Sequence, residues 1–215
     1  MNPNIKVPFE VAKTLIKEGD VLLFRKKGGI HTISWWIRTY TKSKYSHVGL
    51  AHWHKDTGEL LCLEFREFRG SREFPVKQYV KEGQQIDVFR ACTLIEAPYI
   101  DNSFPDYPEL KYRTHKFTST TASNITSTAH ELLGRDYGWW NIWQLIKTYI
   151  PFIRLGQNIE GKNGLADEQE FVCSTLVAYS YRVHYIDPVP YVSDVYTTPG
   201  DLSRSDLFVK LFEIV

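Results

Sequence analysis

Apolar and polar positions repeat along the chain with two periods, one typical of strands and one of helices. The short apolar runs predict strands at Val21–Phe24, His47–Trp53, Leu60–Phe65 and Gln85–Arg90. The second and third runs flank the turn-forming residues 55–58, which favours an antiparallel hairpin. The first half of the chain therefore predicts a small antiparallel meander.

Helical spacing predominates in the second half. Besides a short helix at Phe9–Lys17, the apolar positions predict helices through Ile30, Ile33, Ile37 and Tyr40, through Ala122 to Leu133 with a stop at Gly134, through Trp139 to Ile146, and from Cys173 onward. The connecting segments are a proline-marked loop at Pro98, Pro105 and Pro108, a polar loop at 156–167 and a short final strand at Leu207–Val215. Strands followed by helices indicate an α+β fold.

Length and composition indicate one soluble domain spanning residues 1–215. The chain has 215 residues, of which 43% are hydrophobic, enough for one substantial core. A net charge of +1 argues against nucleic acid as a partner, since binding through phosphates needs a strong basic excess. The charge is uneven, with 16 Lys and Arg against 10 Asp and Glu in residues 1–90. Contact with a membrane surface or an anionic polymer is an alternative that only this asymmetry suggests, and ordinary solvated surface is the simpler explanation.

Cysteine usage indicates a reducing compartment. Cys62, Cys92 and Cys173 are an odd number without metal-type spacing, so we expect no disulfide framework. The first 20 residues lack the long apolar core of a signal peptide, and no membrane span or lipid-attachment cysteine is visible. We therefore expect cytoplasmic synthesis, with cell lysis or carriage in a phage particle as a route outward.

Three residues suggest nucleophilic catalysis. Cys173 opens an apolar helix, and a helix N-terminus near a histidine favours the reactive thiolate. His47, at the start of a strand, has a side chain suited to act as the base. Glu64, an acid among apolar residues on the next strand, is placed to orient that histidine across the hairpin.

Each residue also has an ordinary structural explanation. Cys173 could be core packing, His47 a partly buried hydrogen-bonding group, and Glu64 an ion-pair partner of Arg66, Arg69 or Arg72. Glu67 is the nearby alternative to Glu64, but an offset of three residues places it on the opposite face of a regular strand. His52 and His54 share a face, yet no further ligands stand at suitable spacing, so we expect no metal and no other cofactor.

The order of these motifs resembles a known superfamily. Gly19-Asp20-Val21-Leu22-Leu23-Phe24, Ser46-His47-Val48-Gly49-Leu50 and Phe171-Val172-Cys173-Ser174-Thr175-Leu176-Val177 resemble the motifs of NlpC-type papain-like cysteine peptidases. There the cysteine helix usually comes first, whereas here it follows the strands. The chain thus resembles the circularly permuted, YiiX-like group, which is related to lecithin retinol acyltransferase-like enzymes. The resemblance runs from about Gly19 to Leu202, including Thr198-Pro199-Gly200-Asp201-Leu202.

The resemblance implies a papain-like antiparallel sheet packed against the nucleophile helix. It implies Cys173 as nucleophile, His47 as base and Glu64, or another polar group, as the third member. Tyr45 is then a candidate for the oxyanion site beside the Cys173 backbone N–H, or else a packing residue. Trp139, Trp140 and Trp143 are candidates to line a substrate cleft, or else form core.

The implied reaction is acyl transfer through a covalent intermediate on Cys173. An amidase or peptidase acting on cell-wall-type peptide bonds is the first expectation, with a peptide or peptidoglycan fragment as substrate. A lipid-directed acyltransferase or esterase acting on an acyl group is the second. The third is a module that binds a peptide or acyl group without catalysis. The sequence leaves the oligomeric state open.

Overall fold

The computed structural model describes residues 5–25, 42–67, 69–101, 109–135, 172–190 and 192–215, with the backbone alone for residues 94–101 and 109–115. Three predicted segments lie outside these ranges: the helix through Ile30 to Tyr40, the tryptophan-rich helix at 139–146 and the polar loop at 156–167.

Within the described ranges the chain forms nine strands, five α-helices and one short 3-10 helix. The strands are β1 (Lys6–Val7), β2 (Val21–Arg25), β3 (His47–Trp53), β4 (Leu60–Arg66), β5 (Gly70–Pro75), β6 (Gln85–Ala91), β7 (Leu94–Asp101), β8 (Glu109–Lys116) and β9 (Phe208–Ile214). The helices are α1 (Phe9–Leu15), α2 (Val76–Lys81), α3 (Ser119–Glu131), α4 (Cys173–Arg182) and α5 (Pro199–Arg204), with the 3-10 helix at Asp194–Tyr196. Each described helix is too short or too polar to cross a lipid bilayer.

Seven strands form one sheet in the order β1-β9-β6-β2-β3-β4-β5. All neighbouring strands are antiparallel except β1 and β9, which are parallel. Among the strands that the structure describes, the remaining two, β7 and β8, pair only with each other in a separate antiparallel ribbon. The observed architecture is therefore mixed α+β, as the sequence predicts.

Helices pack on both faces of the large sheet. Along β2, Val21 and Leu23 belong to one buried cluster while Leu22 and Phe24 belong to another, as expected because alternate strand residues face opposite sides. The first cluster includes apolar side chains of α3 and α4, and the second includes those of α1 and α2. Burial on both faces explains why this strand is a continuous apolar run.

Local patterns predict some of these elements and miss others. The predicted strand His47–Trp53 is confirmed, and the predicted Leu60–Phe65 extends by one residue to Arg66. The predicted helix at Phe9–Lys17 ends instead at Leu15, before the turn at Gly19. The proline-marked loop prediction is wrong at Pro98, which lies within β7 opposite Tyr112. A ribbon of two strands tolerates proline there, because each strand has an edge that needs no backbone donor.

Candidate active site

The β3–β4 hairpin brings His47 and Glu64 together. Its register places Leu50 opposite Leu63 and Ala51 opposite Cys62, so Gly49 comes opposite Glu64. A Cβ atom built on Gly49 would collide with Cys62 Sγ and lie 3.3 Å from Glu64 Cβ. Because Gly49 has no side chain, β4 can approach closely and Glu64 can extend toward His47. His47 lies two residues before Gly49, on the same face of β3.

The predicted contact between the two side chains is present. His47 Nε2 lies 2.5 Å from Glu64 Oε2. Glu64 has no solvent-exposed surface, and His47 is 8% exposed. Because water is nearly excluded, the interaction of the two groups is strong. The catalytic roles assigned to them stay predictions.

The second oxygen of Glu64 has its own partners. Arg72 donates from Nε to Glu64 Oε1 over 2.9 Å, and the Tyr79 hydroxyl donates to the same oxygen. The ion pair with Arg72, one of the structural alternatives for Glu64, therefore exists together with the His47 contact. Sequence reasoning missed Tyr79, because it belongs to a six-residue helix, α2, with no apolar period of its own. The alternating charged residues of β5 likewise made Arg72 look like a surface residue.

Cys173 is the first residue of α4, and its side chain is near enough to His47 for the two groups to interact electrostatically. The N-cap residue is Val172, whose side chain has no acceptor for the backbone N–H groups of the first helical turn. These groups and the helix dipole favour negative charge at the thiol. Cys173 is 4% exposed, and all three cysteines of the chain are free.

The charges of the site reinforce one another. Burial alone disfavours the imidazolium form, but the Glu64 carboxylate and the Cys173 side chain outweigh it and raise the pKa of His47 to about 9. Burial also opposes the ionisation of Glu64. There His47, together with the hydrogen bond from Tyr79 and the charge of Arg72, outweighs burial and lowers the pKa of Glu64 to about 2. Near neutral pH the two groups form a buried ion pair.

Tyr45 points its hydroxyl at a different carboxylate. Its O–H donates to Asp87 Oδ2 over 2.6 Å, and burial followed by the charge of Asp87 raises the pKa of Tyr45. The one proton of this phenol is thus engaged away from Cys173 in this arrangement, and the oxyanion role stays a prediction.

Glu67 lies in the turn after β4 ends. The cleft candidates Trp139, Trp140 and Trp143 lie outside the described residues.

His52 in β3 and His54 just after it border a polar cavity of about 660 Å³. His52 Nδ1 lies 2.7 Å from Glu18 Oε1, and His130 Nε2 lies 3.2 Å from Glu73 Oε1. Among the residues described, no group of three or more His, Cys, Asp or Glu side chains is placed to hold a metal ion. The described residues of this cavity and of the Cys173 site therefore offer no ligand set that fits a metal.

The chain matches no protein-family model and no curated protein. Among solved structures it resembles the metalloprotein YiiX from Escherichia coli O157:H7. The two chains share 12% identity with a TM-score of 0.54, over 91% of this chain and 96% of the other. At this identity the likeness concerns the fold, and it supports a YiiX-like α+β architecture.

Proposed function

We propose that this protein is a cysteine-dependent hydrolase that works through an acyl-enzyme on Cys173. One observation carries the proposal: a cysteine at a helix N-terminus, a histidine that interacts electrostatically with it and a fully buried carboxylate 2.5 Å from that histidine lie together. A charged histidine beside a thiol favours the thiolate, which is the nucleophilic form of cysteine. We assign the arrangement to a permuted papain-like fold, because the YiiX-like architecture and the order of the motifs are both consistent with it.

The proposed reaction begins from a thiolate and an imidazolium. Cys173 Sγ attacks the carbonyl carbon of an amide, and the carbonyl oxygen gains negative charge beside the N–H groups of the first turn of α4. The C–N bond then breaks as His47 gives its proton to the leaving amine. Water attacks the resulting thioester while His47 takes a proton from it. The C–S bond breaks, which releases the acid and restores the ion pair.

Glu64 orients the base in this scheme. Its Oε2 faces His47 Nε2, so Nδ1 is the ring nitrogen left for the thiol. The buried carboxylate also stabilises the imidazolium that waits for the leaving group. It transfers no proton, because its pKa is too low for protonation near neutral pH.

For the substrate we propose an amide bond in a peptide of the cell-wall type. The motifs around His47 and Cys173 support this choice through their resemblance to NlpC-type peptidases. The structurally similar YiiX protein is a metalloprotein. The described residues of the present chain do not form a set of metal ligands, and no step of the proposed mechanism uses a metal ion.

The first experiment is alkylation of the cysteines by iodoacetamide between pH 5 and pH 9, with the adducts located by mass spectrometry. We expect Cys173 to be alkylated faster than Cys92 across this pH range, although Cys92 is more exposed. Peptide, glycan-peptide and acyl-ester substrates are then compared on the wild type and on Cys173→Ala.

We expect Cys173→Ala to abolish turnover and to leave the free energy of unfolding within about 1 kcal/mol of the wild type. The matched control is Cys92→Ala, which should keep full activity. Turnover that survives in Cys173→Ala would refute the assignment of the nucleophile. Reactivity at Cys173 no faster than at Cys92 would refute the activated thiolate.

A further inference from the structure

The two carboxylate oxygens of Glu64 are divided between two tasks. Oε2 faces His47 Nε2 at 2.5 Å, while Oε1 accepts from Arg72 Nε at 2.9 Å and from the Tyr79 hydroxyl. Arg72 Nη2 also donates to the Tyr79 oxygen over 3.0 Å. Tyr79, Arg72 and Glu64 thus form a closed triangle of hydrogen bonds on the side of the carboxylate away from the imidazole.

Tyr79 is the rigid member of this triangle. It is 1% exposed, and its ring contacts Phe24 and Phe74 at centroid distances of 4.8 Å and 4.7 Å. Phe24 also lies 5.2 Å from the His47 ring, so one phenylalanine packs against both the tyrosine and the imidazole. Burial and the Glu64 charge raise the pKa of Tyr79, and the phenol therefore remains a hydrogen-bond donor.

A guanidinium alone would not enforce this division of oxygens. Arginine readily binds both oxygens of a carboxylate with its planar fork, which would draw Oε2 away from the histidine. The Tyr79 hydroxyl occupies one donor of Arg72 and one lone pair of Oε1 at the same time. The remaining oxygen is then left to the imidazole.

We propose that Tyr79 is a positioning residue of the site, whose hydroxyl holds the Glu64 carboxylate so that Oε2 stays directed at His47. It touches neither Cys173 nor substrate in this role and acts through Glu64 alone. The inference rests on the proposed function, since positioning matters only if His47 serves the thiol.

The test uses Tyr79→Phe, which removes the hydroxyl and keeps the ring. The first readout is the pKa of His47 from its imidazole resonances in NMR spectra, assigned with His47→Gln. We expect the pKa of His47 to fall by about half a unit to one unit, because a less well fixed carboxylate stabilises the imidazolium less. The second readout is the rate of Cys173 alkylation at pH 6, which should fall about three- to tenfold.

The matched control is Tyr181→Phe. Tyr181 is also fully buried, and its hydroxyl donates to the Gly19 backbone oxygen over 3.3 Å. Both variants should lower the melting temperature, because each removes a hydrogen bond to a buried acceptor. Only Tyr79→Phe should move the titration of His47. Equal shifts in the two variants would overturn the proposal.

A double-mutant cycle tests the route of the effect. On a Glu64→Gln background, Tyr79→Phe should change the rate of alkylation less than twofold, because the carboxylate it positions is gone. A full effect on that background would overturn the proposal. Arg72→Lys keeps the positive charge but loses the fork, and it should shift the His47 titration in the same direction, which provides the test if Tyr79→Phe does not fold.

The two proposals fail in different ways. If Cys173 alkylates no faster than Cys92 while Tyr79→Phe still shifts the pKa of His47, the proposed function fails and the positioning of Glu64 stands. If Cys173 is fast in the wild type and Tyr79→Phe changes neither readout, the positioning role fails and the proposed function stands.

Discussion

Two carboxylates lie fully buried in the large sheet, and each is balanced by different side chains. Glu64 has His47, Arg72 and Tyr79 as partners. The partners of Asp87 are Arg25 at 2.7 Å, Lys210 at 3.1 Å, Lys44 at 3.5 Å and the Tyr45 hydroxyl at 2.6 Å. Burying an unpaired carboxylate would be very unfavourable, so removing a partner from either network should destabilise the fold. Of these two networks, only that of Glu64 includes a histidine, and that histidine also interacts with the Cys173 thiol.

Gly49 allows the close approach of β3 and β4. A Cβ atom there would lie 2.6 Å from the Leu63 carbonyl oxygen as well as against Cys62 Sγ. We therefore expect Gly49→Ala to lower the free energy of unfolding by about 2–3 kcal/mol and to slow alkylation of Cys173, since the strands must shift beneath Glu64. Urea unfolding and the alkylation rate measure the two effects.

Gly58 provides the control for this substitution. It lies in the hairpin turn with φ +63°, and a Cβ atom there would meet nothing within 4 Å. Gly58→Ala should cost about 1 kcal/mol through backbone strain and leave alkylation unchanged. Similar effects of both variants on alkylation would show that general loosening of the hairpin, and not the approach at Gly49, disturbs the site.

At the scale of elements, the sequence predicts what depends on neighbours along the chain. The Thr198-Pro199-Gly200-Asp201 pattern forms a capping box at the start of α5. Thr198 Oγ1 accepts from the Asp201 N–H over 3.2 Å, and Asp201 Oδ2 accepts from the Thr198 N–H over 3.0 Å. The hairpin turn at 55–58 is equally local, and it is sufficient to predict the His47–Glu64 contact.

The missed elements depend on distant contacts. β5 and α2 lack a clear apolar period, and they are held in place by pairing with β4 and by the burial of Val76 and Tyr79. Tyr79 and Arg72 become part of the site only through that packing. Sequence periodicity therefore predicts the central pair of the site, while the residues that hold Glu64 emerge only in the folded structure.

The 3-10 helix at 194–196 is held against α4 by a buried carboxylate with few partners. Asp194 is fully buried, and Arg182 Nη2 lies 2.9 Å from its Oδ1. Burial outweighs the charge of Arg182 and raises the pKa of Asp194 from 3.8 to about 6. Because its pKa is raised, Asp194 stabilises the folded state in its protonated form. This stabilisation is complete below about pH 4 and is lost as the pH rises through about 6.

We expect Asp194→Asn to abolish that loss, which for the wild type is on the order of 1–3 kcal/mol between about pH 4 and pH 7. The measurement is the free energy of unfolding in urea across this range. Asp187→Asn is the control, because Asp187 contacts the same Arg182 side chain but is partly exposed. An unchanged pH profile in Asp194→Asn would mean that another group causes the decline.

At the scale of the whole molecule, helices cover both faces of one sheet, and the candidate site lies where β3, β4 and α4 meet. α4 contacts both strands, which fixes the thiol relative to the histidine and the carboxylate. The sequence predicts the α+β class and the antiparallel centre of this sheet. The strand order, including β9 between β1 and β6, depends on pairings across the full length of the chain and has no local signal.

The buried ion pair should give global stability a defined pH window. The pKa of His47 is raised from 6.5 to about 9, so its contribution is complete below pH 6.5 and is lost through about 9. The pKa of Glu64 is lowered from 4.5 to about 2, so its contribution is complete above pH 4.5 and is lost as the pH falls through about 2. Both contributions are complete only between pH 4.5 and pH 6.5.

We therefore expect the stability difference between the wild type and Glu64→Gln to be largest in that window. It should shrink by on the order of 1–3 kcal/mol toward pH 9, and shrink again toward pH 2. His47→Gln should remove the decline on the alkaline side. A difference that stays constant with pH would contradict the coupling of the two groups.

The parallel pairing of β1 with β9 has a mechanical consequence. The backbone hydrogen bonds that join these segments include Glu213 N–H to the Ile5 oxygen at 2.8 Å, Val215 N–H to the Val7 oxygen at 3.0 Å and Phe9 N–H to the Val215 oxygen at 3.2 Å. Because the strands run in the same direction, a force that pulls Ile5 and Val215 apart acts along the strands and loads these bonds in shear. They must then break together and not one after another. A pull that separates these two residues therefore loads the β1–β9 pair directly, at a place in the sheet well removed from the hairpin that carries His47 and Glu64.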